Sequence, residues 1–374
     1  MSETRYPERG GAKLVLHVFP GFGLGGAQAR FCAIANRYGP RWRHAVIALD
    51  GVTDASSRIA PTVPLSLLPS PVRFGEGALR LLRIRNVLAG LRPALLVTSN
   101  WGSIEWAAVA RTLPGLRHLH TEDGFGPDEA EGQKLRRVLA RRLVLRSSPV
   151  VLPSRTLLAA ARDLWRLPGK RLHYIPNGLD LAAFNPAGAA AALDLPGSGP
   201  VIGTVARLRP EKRLDRLLRA SAILRDEGIA FRLAIAGDGP EQAGLAALAD
   251  RLGLMDRTRF LGHLPDPAPA YRCFDVVALS SDTEQMPFSV LEAMASARSV
   301  AATDVGDVRA MLPEAQGRFL TPRDDAALAA ALRTLLADAA LRAGLGAANR
   351  AKAEREFDQE AMFEAYAALF DGPG

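Results

Sequence analysis

Twice along this chain, short apolar runs rich in Val, Leu, Ile and Ala alternate with amphipathic stretches of helical length. No other feature narrows the fold so far. A strand covered on both faces reads as a continuous apolar run rather than an alternating one. Two neighbouring strands can lie parallel only if a long crossover joins them, usually a helix. The pattern therefore predicts an α/β chain built on parallel sheets. In the first half, strands are expected over 14–19, 44–49, 94–99, 117–120 and 150–152, with helices over 27–38, 77–91, 104–111, 133–146 and 154–164. In the second half, strands are expected over 201–205, 231–236, 259–261, 276–279 and 299–302, with helices over 214–226, 240–252, 288–297 and 324–336. Residues 339–370 are helical in composition.

Between the two series, residues 182–200 are rich in Ala, Gly and Pro and read as a linker. The chain has 374 residues, enough for two domains. The expected organisation is a first Rossmann-like lobe over 1–190, a second over 191–355, and a C-terminal helix over 356–374 that returns to the first lobe. Open parallel sheets bind ligands at the carboxyl ends of their strands. Two such lobes facing across a cleft make that cleft the expected site.

The formal net charge of +8 favours anionic partners such as nucleotide diphosphates or an acidic membrane surface. Aromatic residues are only 6%, too few for a stacking platform, and no recognition module is visible, so nucleic acid is not an expected partner. Cys32 and Cys273 stand far apart without zinc spacing, so neither a disulfide nor a metal site is expected. The stretch from Met1 to Lys13 is polar and charged, without the apolar core of a signal peptide. No apolar run reaches the ~18 residues that span a bilayer. A cytoplasmic location is the expectation.

Two places carry the chemistry. Gly21, Gly23 and Gly26 follow the first strand with G-x-G-x-x-G spacing, and Asp50 ends the next strand. Glycines there let a backbone approach an anion, and a helix amino end attracts it. A nicotinamide dinucleotide is one reading of this loop, an unliganded turn another. In the second half, Arg207 and Lys212 flank a proline-containing turn between a strand and a helix, where both can converge on one anion. Further on, Glu284 precedes a helix opened by Pro287, and Glu292 lies inside it. Pro is favoured at a first helical position. The N–H groups of that first turn, around Ser289, Val290 and Leu291, would suit a phosphate, and the two carboxylates would suit sugar hydroxyls.

Gly25-Gly26-Ala27-Gln28, His120-Thr121-Glu122, Ile175-Pro-Asn177-Gly178-Leu-Asp180, Arg207-Leu-Arg-Pro-Glu211-Lys212, Gly237-Asp238-Gly239-Pro240-Glu241, Phe260-Leu-Gly262-His and the Glu284–Glu292 segment follow one another in an order and spacing that resembles glycosyltransferase family 4. The resemblance covers nearly the whole chain. It implies a GT-B fold and a retaining transferase of hexosyltransferase type, using a nucleoside-diphosphate sugar and a glycan or lipid-linked acceptor in bacterial exopolysaccharide or lipopolysaccharide synthesis. It implies that Arg207 and Lys212 hold the donor diphosphate and that Glu292 binds the ribose. Glu284 would contact the donor sugar, the Gly26 backbone would line the reaction centre, and His120 would reach the donor sugar from the first lobe. The sequence departs from the family pattern at Arg213 and Ala297, where glycine is usual, at Gln285 and Met286 before Pro287, at Ser299 where proline is usual, and at Ala310 where glutamate is common.

There is no clear D-x-D motif; the nearest is Asp282-Thr-Glu284. Two basic side chains and a helix amino end can do the work of a metal ion, so no metal and no cofactor are expected. Lys134, Arg136, Arg137, Arg141, Arg142 and Arg146 fall in one helical stretch with Leu135, Val138, Leu139 and Leu143 at near-helical spacing. This reads either as a solvated basic face over a buried apolar stripe or as a site for an anionic membrane surface. An NAD-dependent oxidoreductase, a non-catalytic nucleotide-sugar-binding relative and a nucleotide-sugar epimerase remain as rivals, since fold alone does not decide among them.

Overall fold

A computed structural model describes residues 11–72, 79–125, 129 and 132–372. The chain divides into two units, Met1–Pro176 with Met362–Gly374, and Asn177–Ala361.

In the first unit the strands are β1 (Leu14–Phe19), β2 (Arg43–Ala48), β3 (Leu65–Leu68), β4 (Leu95–Ser99), β5 (Arg117–Thr121), β6 (Val150–Leu152) and β7 (Leu172–Tyr174). They form one parallel sheet in the order β3-β2-β1-β4-β5-β6-β7. Its helices are α1 (Gly26–Tyr38), α2 (Leu79–Leu91), α3 (Ile104–Ala110), α4 (Leu135–Val144) and α5 (Arg155–Ala159). Every residue of β1 is buried. Leu14, Leu16 and Val18 pack with Ile84, Leu88 and Trp106 on one face. Val15 meets Ile34, Met362, Phe363 and Tyr366 on the other. That double coverage is why β1 reads as one apolar run.

The second unit holds β8 (Val201–Val205), β9 (Arg232–Ala236), β10 (Thr258–Gly262), β11 (Val276–Leu279), β12 (Ser299–Thr303) and β13 (Leu320–Thr321), parallel in the order β10-β9-β8-β11-β12-β13. Its helices are α6 (Leu214–Asp226), α7 (Gln242–Arg251), α8 (Ala268–Tyr271), α9 (Phe288–Ala295), α10 (Val308–Met311), α11 (Asp325–Ala337) and α12 (Ala339–Glu356); α13 (Gln359–Asp371) carries the chain into the first unit's core. Asp324 and Asp338 cap α11 and α12, accepting from the amides of Ala327 and Leu341 at 2.8 Å each. In each sheet the strand order reverses once, between β1 and β4 and between β8 and β11. Those reversals place a crevice at the carboxyl ends of the central strands.

The structure departs from the sequence expectations at several points. β3, β7 and β13 were not expected; β3 and β7 are short, half-exposed edge strands without a strong apolar signal. The helix expected over 154–164 is α5 followed by a π-helical turn, Ala160–Leu164. The start of the helix expected at 77 lies outside the described residues. Pro287 stands outside α9 in extended backbone rather than at its first helical position.

The units divide after Pro176, earlier than the composition suggests. The side-chain amide of Asn177 donates through Nδ2 to the Met286 carbonyl at 3.1 Å. Arg272 donates to the carbonyls of Asn185 and Ala189 at 2.8 and 3.0 Å, which fastens the Ala/Gly/Pro-rich stretch to the second unit.

Helix α4 corrects the expected pattern most sharply. Of the four apolar positions only Val138 is buried, while Leu135, Leu139 and Leu143 are 72%, 46% and 66% exposed. The enclosed residue is Arg141. Its guanidinium lies 5.2, 5.4 and 4.9 Å from the ring centroids of Trp101, Phe125 and Trp165. Its Nε donates to Glu122 Oε2 at 3.0 Å. A buried cation survives only when paired and hydrogen-bonded; this anchor sets the rotation of the helix and turns the leucines outward.

Candidate functional site

The glycine loop follows β1 at the first reversal. Gly25, in extended backbone, precedes α1 without any side-chain cap, and Gly26 is its first residue. Gln28 Nε2 donates to the Gly21 carbonyl at 2.8 Å, closing the loop on itself. Asp50 packs against Gly21 so closely that a Cβ there would lie 2.2 Å from its Oδ2. Its Oδ1 accepts from the Val52 amide at 2.9 Å. The close approach that a pyrophosphate would need at Gly21 is thus taken by a side chain, which speaks against the dinucleotide reading.

His120 is the last residue but one of β5 and is fully enclosed. Its Nδ1 lies 2.8 Å from Thr98 Oγ1, and its Nε2 lies 3.5 Å from Glu122 Oε2, too long for a hydrogen bond. The same Thr98 hydroxyl sits 2.8 Å from His118 Nε2, and His118 Nδ1 is 2.7 Å from Ser148 Oγ. Burial, reinforced by the neighbouring His120, pushes the His118 imidazole down to about 3.

At the second reversal, the loops leaving β8 and β11 bring basic and acidic groups together. Arg207, beyond β8, pairs with Asp238 at 2.7 Å. Lys212 ends a 3-10 turn, Pro210–Lys212, and its Nζ donates to Glu284 Oε1 at 2.6 Å. Ser281 Oγ donates to the same oxygen at 2.7 Å. The two loops are also tied through backbone, since Ser280 Oγ donates to the Lys212 carbonyl at 2.9 Å and the Asp282 amide to the Glu211 carbonyl at 2.9 Å. Burial alone would raise the Asp282 carboxyl, but hydrogen bonds from Arg216 and Arg213 hold it below its usual range. Both carboxylates of the Asp282-Thr-Glu284 segment are therefore committed to basic side chains.

Gly306 fixes this loop from behind. Its φ is +55°, and a Cβ would fall 2.1 Å from the Glu284 carbonyl oxygen. Only glycine fits such a close approach. Arg213 (φ 46°) and Ala297 (φ 55°) hold left-handed backbone at both positions where the family pattern has glycine.

Glu292, on α9, accepts from the Tyr271 hydroxyl at 2.8 Å. Tyr271 is wholly buried; burial, and then the charge of Glu292, raise its hydroxyl well above the usual value. Ser289 is the second residue of the same helix and is half-buried. The expectation of open N–H groups needs correction at its neighbours. The Val290 and Leu291 amides already reach the Pro287 carbonyl, at 3.2 and 3.4 Å, because Pro287 stands just before the helix and its carbonyl accepts the first turn.

Arg207, Lys212, Glu284, Ser289 and Glu292 thus belong to the second unit, and Gly26 and His120 to the first. Sequence reasoning missed Tyr271, Ser281, Arg216 and Gly306. Ser281 and Gly306 lie in loops whose signal was available, whereas nothing local marks Tyr271 or Arg216. A concavity of about 370 Å³ lined by Arg225, Phe231, Asp256 and Arg257 lies before the amino ends of β9 and β10, at the opposite edge of the sheet from these groups.

Two family models match the chain: Glycosyltransferase Family 4 over residues 24–183 and Glycosyl transferases group 1 over residues 199–338. The D-inositol 3-phosphate glycosyltransferase of Salinispora tropica is 32% identical over 271 residues, covering 67% of this chain and 55% of that protein. The chain spans little more than half the length of the first such relatives. Among solved structures, Anabaena Alr3699/HepE in complex with UDP and glucose has a TM-score of 0.79 at 19% identity, covering 96% of this chain and 100% of that one. WaaG, a glycosyltransferase involved in lipopolysaccharide biosynthesis, has a TM-score of 0.70 at 17% identity, covering 96% and 100%. These likenesses establish the two-domain GT-B fold.

Proposed function

The chain, carrying both of these domains over most of its length, belongs to glycosyltransferase family 4, and from that premise we propose that it moves a sugar from a nucleoside-diphosphate donor to a glycan or lipid-linked acceptor. The observation that carries this is the Lys212–Glu284 pair at the carboxyl ends of β8 and β11, with Arg207 on the same loop that leaves β8. When the sugar leaves, the bond between its anomeric carbon and the β-phosphate oxygen breaks and charge builds on the diphosphate. Lys212 and Arg207 would neutralise that charge, with the amino end of α9 at Ser289 behind them. Glu284 would accept from sugar hydroxyls, and Glu292, oriented by Tyr271, from those of the ribose. HepE, of the same fold, is described in complex with UDP and glucose, which supports a donor of this class.

In this reading the transfer retains configuration: the acceptor oxygen attacks the face the phosphate leaves, and the acceptor proton passes to the leaving phosphate. No dedicated base is then needed. With the charge met by Arg207 and Lys212, the reaction would need no metal and no cofactor. The lipopolysaccharide role printed for WaaG supports an acceptor in cell-surface polysaccharide synthesis.

The exposed Leu135, Leu139 and Leu143, with Arg136, Arg142 and Arg146 on the same helical stretch, support peripheral attachment to the cytoplasmic face of an anionic membrane. Among the described residues no helix is long and apolar enough to cross a membrane.

The test is unfolding of the purified protein with UDP, GDP, ADP and NAD in parallel, followed by sugar turnover with the stabilising nucleotide's sugars. A diphosphate at about 100 times its Kd adds roughly 2.7 kcal/mol. Stabilisation by one nucleoside diphosphate, lost in Arg207→Ala, and turnover cut about 100-fold or more in Lys212→Ala are expected. Stabilisation by NAD alone, or turnover unchanged in Lys212→Ala, would overturn the reading.

A further inference from the structure

We infer that Arg213 is a positioning residue: from a place where the family pattern has glycine, it fastens the loop that carries Glu284 to the turn that carries Lys212, so that the Lys212–Glu284 pair is set before a donor arrives. The inference rests on the assignment of that pair to the donor, and deepens it.

Arg213 stands in left-handed backbone, φ 46° and ψ 46°, between the 3-10 turn and α6. Glycine takes that conformation freely, whereas a residue with a Cβ is strained there. The guanidinium makes three hydrogen bonds from this place. Nε and Nη2 fork onto the two oxygens of Asp215, at 2.9 and 3.1 Å. Asp215 is itself held by Arg219, at 2.7 Å. A guanidinium is planar and rigid, so seating one edge on Asp215 fixes where the remaining nitrogen points. That nitrogen, Nη1, donates to Asp282 Oδ2 at 3.0 Å.

Asp282 is the far anchor. Its Oδ1 accepts from Arg216 Nη2 at 2.8 Å, and Arg216 Nη1 donates to the Ser280 carbonyl at 2.6 Å. Arg216 thus ties the loop to the body of α6. Arg213 ties it to the turn, because Arg213 directly follows Lys212 and Asp282 stands two residues before Glu284. Its bond closes the same seam as two neutral ones: the Asp282 amide to the Glu211 carbonyl and Ser280 Oγ to the Lys212 carbonyl, each at 2.9 Å. Opening that seam would part Lys212 Nζ from Glu284 Oε1, now 2.6 Å apart. Glycine at 213 would leave the turn and the loop joined by the neutral bonds; arginine adds a charge-assisted one, which is stronger. A loop ordered beforehand spares the donor the cost of ordering it.

The direct measurement is hydrogen exchange of the Asp282 amide, followed by NMR in the parent chain and in Arg213→Gly. Opening the seam in the variant no longer breaks a charged pair whose members are 33% and 32% exposed, so exchange should quicken about fivefold, while amides in the middle of α6 keep the parent rate. Arg213→Asn tolerates left-handed backbone without the chain freedom of glycine; it should quicken exchange alike, and it carries the test if Arg213→Gly fails to fold. Unchanged exchange would overturn the inference. So would quickening in Arg213→Gly alone, since glycine's freedom and not the lost guanidinium would be its cause. This readout needs no substrate: a parent chain that turns over no donor sinks the transferase reading and leaves exchange to decide this one. In turnover, KM for the donor should rise about fivefold with kcat within about twofold, because ordering the loop is left to the donor. A lower kcat at unchanged KM would mean only fewer folded molecules and would refute a positioning role. In an Asp282→Ala background, Arg213→Gly should raise KM by less than about twofold; the full fivefold there would show that Arg213 does not act through Asp282.

Discussion

The Arg141–Glu122 pair should behave as a coupled unit, and a double-mutant cycle measures the coupling. Both side chains are wholly buried, with Nε–Oε2 at 3.0 Å. Arg141→Met keeps much of the volume but strands Glu122 as a buried anion without its cation, 3.5 Å from the His120 ring. Breaking a buried pair in this way costs about 3–5 kcal/mol. Each of the three aromatic contacts adds roughly 0.5–2 kcal/mol, so ~4 kcal/mol or more is expected. Glu122→Gln is milder. The amide oxygen still accepts from Arg141 Nε, and Glu129, 3.6 Å from the guanidinium, shares its charge; about 2 kcal/mol is expected. Once Arg141 is gone, neutralising Glu122 relieves the stranded charge. The double variant should then fall short of the summed losses by about 2 kcal/mol. Urea denaturation followed by circular dichroism reads each corner of the cycle. Losses that simply add, within about 0.5 kcal/mol, would mean the two groups do not interact and would refute the account of how α4 is anchored.

On that same helix, Leu139→Asp with Leu143→Asp should abolish sedimentation with phosphatidylglycerol vesicles while leaving the fold intact, because both leucines already face solvent; equal binding to uncharged vesicles by the parent protein would defeat the membrane reading. Ala297→Gly should stabilise the protein by about 0.5–1 kcal/mol. A left-handed residue with a Cβ costs ~1–2 kcal/mol, more than the added chain entropy of glycine, and Ala297 has φ 55°. A loss of stability on chemical denaturation would show that the backbone there is not strained.

The strands were legible where burial is complete. β1, β4 and β11 are wholly buried and carry no polar interruption strong enough to break the apolar run. The edge strands β3 and β7 were not, since half-exposed residues leave no such run. The second unit's charged groups were legible as residue types on strand-to-helix loops, because a loop at the end of a central strand is read directly from the order of elements. Their partners were not. Tyr271 reaches Glu292 from α8, and Arg216 reaches Asp282 from α6, by folding rather than by spacing. Helix α4 misled because periodicity identifies an amphipathic helix without saying which face is covered. One buried cation among three aromatic rings outweighed three leucines.

The second unit is a single stretch, 177–361, while the first is in two pieces, 1–176 and 362–374. Met362, Phe363, Tyr366 and Phe370 belong to the same cluster as Val15, Ile34 and Trp42. Trp42 Nε1 donates to Asp371 at 3.0 Å, and Arg117 to the Leu369 carbonyl at 2.8 Å. As the chain leaves the ribosome, the unit whose strands are made first is therefore the one whose core is completed last. The later-made sheet has all its residues before the earlier one can close its core. Loss of residues 362–371 would leave the second unit's core whole and strip the first of a wall, a vulnerability remote in sequence from the strand it exposes.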